Sequence, residues 1–220
     1  VSKSIKKYIK KANSRFTKSI KKVNRRRKEW ENLKDEVETV YKPLLDELDK
    51  NFKFENFYLS YSEDYFNKKE SLNQNFIQIS MGSHPVGIIS KIKNGEKNKS
   101  NGVHERGGTL SFSQGPQGEV MIILYPCSSD VYKITEKYIV YGIYSSPKKI
   151  SKKKLTKVFK YYIKFMYMTS VFGNANFWDR LQLKLIKLRG GFDVLKFGKE
   201  MVKIFERLLG MGSSASSISQ

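Results

Sequence analysis

The chain has 220 residues, 39% hydrophobic and 13% aromatic, with 42 Lys/Arg against 21 Asp/Glu and a formal net charge of +21. That apolar share is enough for a core, so composition excludes a wholly disordered chain, and the charge selects polyanions, nucleic acid or anionic membrane, as partners. The single cysteine, Cys127, excludes an intrachain disulfide and an all-cysteine zinc site.

The charge is segmented. Residues 1–28 carry thirteen basic residues and no acid, residues 29–50 carry eight acids against three bases, residues 51–136 balance, and residues 137–220 carry seventeen bases against four acids. A lysine-biased codon usage would supply lysines without any partner, but it does not account for their segmentation. Like charges four apart on a helix each cost a few tenths of a kcal/mol, so the first segment gains nothing from this crowding on its own.

In chain order, residues 4–41 read as one long helix. Ile5, Ile9, Ala12, Phe16, Ile20, Val23, Trp30, Leu33, Val37 and Val40 recur at intervals of mostly three or four and draw one apolar stripe. The stripe is narrow enough for a coiled-coil seam and would meet a partner helix, a second copy or the rest of this chain. Pro43 lacks a backbone donor and predicts an end or kink near Tyr41, with Leu44, Leu45 and Leu48 on a short second piece.

The period then changes to two. Strands are predicted at Asn56–Ser62, Asn75–Met81, Val86–Ser90, Gly108–Gln114, Glu119–Tyr125 and Tyr138–Tyr144. Gly115-Pro116-Gln117-Gly118 is strong turn chemistry and pairs the fourth and fifth strands as a hairpin. Lys91 to Gly107 is polar and rich in Gly, Asn and Lys, which predicts a long loop. Helices return at Ser151, a predicted N-cap, with an apolar face from Leu155 to Tyr167 and Gly173 as predicted C-cap. Asn176 to Arg189 fits both periods, and Arg189-Gly190-Gly191 reads as a helix end. Asp193 to Leu209 predicts a last amphipathic helix, and the Ser-rich tail from Gly212 predicts disorder.

These elements predict an α+β fold. A central antiparallel sheet of five to six strands, open or curled into a half-barrel, is flanked by a long N-terminal helix and C-terminal helices. The expected division is a basic-then-acidic helical arm (1–50), a β core (51–150), C-terminal helices (151–210) and a tail (211–220). The apolar stretch Leu155–Phe172 is broken by Lys157, Lys160 and Lys164 and falls short of a membrane span, so the expectation is a soluble, cytoplasmic protein.

The chemistry-bearing residues are the basic ones. Lys6, Lys7, Lys10, Lys11, Arg25, Arg26 and Arg27 form one candidate phosphate-contacting set, and Lys148, Lys149, Lys152, Lys153 and Lys154 form another. The last three fall in the first turn of a predicted helix. Cations there cost roughly 0.3–1 kcal/mol each, a cost that a bound anion would remove. Aromatics on the strands, Phe57, Tyr58, Tyr61, Tyr141 and Tyr144, could stack on bases, although half or more should be core.

His84 and His104 show no zinc spacing, and the glycine loops match no phosphate-binding fingerprint. The carboxylates Glu63, Asp64, Glu70, Glu105, Glu119 and Asp130 are scattered. Cys127 beside His84 or His104 would make a nucleophile pair, but a lone cysteine at a strand end is more often a small buried hydrophobe. No metal or cofactor is implied.

The expected function is non-enzymatic, largely sequence-independent binding of DNA or RNA. Two rivals remain: a membrane-surface module using residues 4–23 and 193–209 as amphipathic helices on anionic lipid, and a partner-dependent subunit of a bacterial defence or DNA-processing complex.

Overall fold

A computed structural model describes residues 3–51, 57–62, 75–93, 96–129, 137–173 and 175–197. The fold is α+β. Among the described residues one long helix, α1 (Lys3–Asn51), precedes eight strands, and two helices follow, α2 (Lys152–Thr169) and α3 (Phe177–Phe197). The strands β1 (Phe57–Tyr61), β2 (Phe76–Met81), β5 (Thr109–Gln114), β6 (Val120–Tyr125) and β8 (Ile139–Tyr144) form an antiparallel sheet in the order β1-β2-β5-β6-β8. A second sheet joins β3 (Ser83–Lys93), β4 (Glu96–Arg106) and β7 (Ser128–Ser129). The five-stranded sheet is open and does not close into a barrel.

Period-two alternation sets one face of this sheet. Ile77, Ile79, Leu110, Phe112, Ile122 and Leu124 are fully buried and meet Trp30, Leu33, Val37 and Tyr41 of α1 and Leu155, Val158 and Tyr162 of α2. Two tyrosines fasten the layers. Tyr41 donates its hydroxyl to Leu155 O at 2.9 Å, and Tyr162 donates to Gly108 O at 2.9 Å. Each buried hydroxyl thus has a partner, so neither costs the desolvation of an unpaired group.

The β5–β6 hairpin forms at the predicted turn. Gly118 N–H donates to Gly115 O at 2.9 Å, and Gly118 takes φ +76°, a left-handed conformation that only glycine adopts without strain. A β-carbon there would also lie 2.5 Å from Arg26 Cβ. The turn is pressed directly against α1.

Four expectations are corrected. The helix does not end at Pro43 but continues to Asn51. Thr39 and Pro43 are both exposed, so water can satisfy the carbonyl that proline leaves without a donor, while Leu45 stays buried and anchors the last turns. The predicted loop from Lys91 is largely paired instead. β3 and β4 form a long hairpin with register shifts at Pro85/Gly87 and Ser90/Lys91. Such bulges blur the period-two signal. Gly107 sits at the corner where the chain changes sheet, and a β-carbon there would meet Met81 O at 2.6 Å.

The third correction is the end of α2. It stops at Thr169, before Gly173, because buried Glu105 accepts from Ser170 Oγ at 2.7 Å and from Val171 N–H at 2.8 Å. Those bonds draw the chain out of the helix. At the other end Ser151 holds the N-cap position without a side-chain cap bond. The fourth correction is α3, which runs through Gly190-Gly191. A β-carbon at Gly190 would lie 1.9 Å from Val140 O, so this glycine lets the helix approach β8 and does not stop it. The expected helix beyond Phe197 and the tail from Gly212 lie outside the described residues.

Candidate nucleic-acid interface

The apolar stripe of α1 changes role along its length. From Trp30 onward it is core, but Ile5, Ile9, Phe16 and Ile20 are exposed. The first turns therefore leave the body as an arm carrying Lys6, Lys7, Lys10 and Lys11, all exposed. At about 1.5 Å per residue, Lys6 stands roughly 28 Å along the helix from Arg25.

Where the arm joins the body, Lys22, Arg25, Arg26 and Glu29 occupy one face of α1 at spacings of three and four. The chain leaving β8 turns back beside them through Ser145 and Ser146 into a short 3₁₀ turn, Pro147–Lys149. The two segments enclose a groove of about 480 Å³ lined by Lys22, Arg25, Arg26, Glu29, Ser145, Ser146, Lys148 and Lys149. It holds five cations and one carboxylate.

That carboxylate holds the groove together. Glu29 accepts a hydrogen bond from Ser146 Oγ and sits 3.6 Å from Arg25 Nε. Proline in the first turn and a buried Ile150 fix the 3₁₀ segment, leaving Lys148 and Lys149 exposed. Among the described residues, Lys22, Lys148 and Lys149 form no ion pair with any acid.

Some sequence-selected cations have structural work. Arg26 Nη1 donates to Gln117 O at 3.0 Å and Arg27 Nη2 donates to Pro116 O at 3.2 Å, tying α1 to the β5–β6 turn. Lys154 Nζ donates to Lys149 O at 2.7 Å and lies 4.8 Å from the Tyr144 ring centroid. Lys152 and Lys153 are exposed in the first turn of α2. The structure thus joins Arg25, Arg26, Lys148 and Lys149 in one groove, whereas Lys152, Lys153 and the four arm lysines are not among its lining residues.

Lys22 escaped the sequence reading, although it sits three and four residues before Arg25 and Arg26 on one helix face. The Glu29–Ser146 contact joins positions 117 apart and had no sequence signal.

The remaining candidates are structural in geometry. Cys127 is buried, its thiol donates to Met166 O at 3.6 Å, and burial pushes its pKa up to about 11, so it is protonated near neutral pH. His84 Nε2 lies 3.0 Å from Glu105 Oε2 inside the protein, beside the Phe172 ring. Phe57, Tyr141 and Tyr144 are buried, Tyr61 lies under Lys34, and Tyr58 is exposed. Glu63, Asp64, Glu70 and Asp130 lie outside the described residues. Among the described residues no group of three or more His, Cys, Asp or Glu converges to hold a metal ion, and no helix is long and apolar enough to cross a membrane.

No family model matches this chain, and no curated protein or solved structure matches it.

Proposed function

We propose that the chain binds nucleic acid through its phosphate backbone, with the groove between α1 and the 3₁₀ turn as the central contact. One observation carries the reading: two basic segments more than a hundred residues apart converge on a single groove with five cations. Lys22, Arg25, Lys148 and Lys149 would each take a phosphate oxygen, while Arg26 adds charge from its place against Gln117. The arm extends the same charge along the strand through Lys6, Lys7, Lys10 and Lys11. Most contacts would be to phosphate, so binding would depend weakly on sequence and strongly on salt.

The test is fluorescence anisotropy with a mixed-sequence duplex and the matching single strand over a salt series. The logarithm of affinity should fall linearly with the logarithm of salt, with a slope of about −0.9 per phosphate neutralised on duplex. Lys148→Gln and Lys149→Gln should each reduce that slope by about one and weaken all sequences alike. An affinity that ignores salt, or that survives both substitutions unchanged, would sink the proposal.

A further inference from the structure

Helix α3 has two apolar faces. Leu183, Ile186 and Gly190 turn toward the core and β8. On the opposite side Trp178, Leu181, Leu185, Leu188 and Phe192 repeat at intervals of three and four, and all are exposed, from 37% at Leu181 to 70% at Phe192. Phe177 extends this ridge at its start and is 72% exposed. The ridge spans about 21 Å at 1.5 Å per residue. Contiguous exposed apolar surface of this kind marks an interaction site, whereas single exposed side chains do not.

The charges around the ridge specify the occupant. At 100° per residue, Lys184 flanks it on one side and Arg189 on the other, with Arg180 beside Lys184. Of the two acids on this helix, Asp179 is buried and paired with Lys164 at 2.6 Å and Asp193 follows Arg189 by four residues, so Arg180, Lys184, Lys187 and Arg189 outnumber them. Two such helices from two copies would set an excess of basic residues against each other, with only Asp193 of each helix beside the paired Asp179 to answer them. An occupant that is apolar at its centre and anionic at its edges complements the ridge and this basic excess. A bilayer surface containing anionic lipid has that layering, and Trp and Phe beside Leu with Lys/Arg on the flanks is the side-chain set of a helix lying in the headgroup region.

We propose that α3 docks this protein on anionic lipid surfaces through the Trp178–Phe192 ridge. The ridge enters the acyl boundary, and Arg180, Lys184 and Arg189 meet headgroup phosphates. This site is separate from the α1 groove and requires nothing of it.

The protein carries its own probe. Trp30 is buried at 1% exposure and Trp178 is 67% exposed, so a change of tryptophan emission on docking reports Trp178. The full chain would be floated with phosphatidylcholine vesicles containing phosphatidylglycerol, and with phosphatidylcholine alone. Flotation is expected with the anionic vesicles only, with a blue shift of tryptophan emission and quenching by brominated acyl chains. Leu185→Glu and Leu188→Glu, which touch no core position, should abolish flotation and blue shift while leaving the circular dichroism spectrum unchanged. The proposal fails if the chain floats without quenching of Trp178, floats equally on neutral vesicles, or floats as well with both leucines replaced. It fails equally if light scattering shows a dimer that these substitutions dissociate, because a second copy then covers the ridge.

Discussion

Glu119 follows the turn that α1 rests on, and its carboxyl is almost wholly buried. Burial raises its pKa above the ordinary 4.5, and the backbone amides of Gln117 and Glu119 and the Arg26 charge only partly oppose this. The folded state therefore holds the proton more tightly than the unfolded state. Stability should fall as pH rises from about 4.5 through the folded pKa, which reverses the usual carboxylate behaviour. Glu119→Gln is expected to stabilise the protein at neutral pH, and urea unfolding at pH 4 and pH 7 should show the gain only at the higher value. Asp179 has the opposite sign. The hydrogen bond from Lys164 holds its carboxyl below 3.8, so its contribution is present above that pH and is lost in stronger acid. Cys127 shows the same logic of burial: the residue type allowed a nucleophile, and only the packing around the thiol keeps it protonated.

At the scale of elements, α1 behaves as two helices joined without a break. Its second half supplies Trp30, Leu33, Val37 and Tyr41 to the core, and its first half exposes the same kind of stripe. Substitutions in the arm should therefore leave the fold intact. Replacing Lys6, Lys7, Lys10 and Lys11 by Gln is expected to change unfolding free energy by less than about 0.5 kcal/mol, and to reduce the salt slope of DNA binding by about one for each lysine that meets a phosphate. Chemical denaturation and anisotropy on one preparation check both halves of that statement. If stability fell by several kcal/mol, the arm would be part of the core after all. The stripe itself was legible from residue spacing. Which half of it was covered was not, because periodicity records that a face is apolar and says nothing of what lies against it.

The whole molecule is electrically polar along α1. One groove on the helix is lined by Lys22, Arg25 and Arg26 with Lys148 and Lys149. Another, about two turns past Glu29, is lined by Asp35, Glu38 and Asp46 with Thr39, Lys42 and Pro43. On the proposed reading, the acidic groove would repel the polyanion that the basic one attracts and so set where along the helix it lies. Neutralising Asp35, Glu38 and Asp46 to Asn, Gln and Asn is expected to raise DNA affinity a few-fold at low salt, with the gain fading as the Debye length shrinks below about 10 Å. Competition titrations at low and moderate salt would measure it. A gain that persisted at high salt would mean the acids act by contact and not by their field.

The sequence by itself determined the α+β class, the main strands of the five-stranded sheet, the β5–β6 hairpin and the basic character of both ends, because side-chain periodicity, turn residues and charge are local properties. It misjudged Pro43, Gly173 and Gly190, whose roles depend on a solvent-facing carbonyl, a distant buried Glu105 and the backbone of Val140. Only the tertiary structure decided whether the two basic segments belong to one surface. That convergence rests on Glu29 meeting Ser146 and on Arg26 and Arg27 meeting the β5–β6 turn, contacts between residues some ninety to a hundred and seventeen positions apart, and no spacing rule along the chain encodes a distance across the fold.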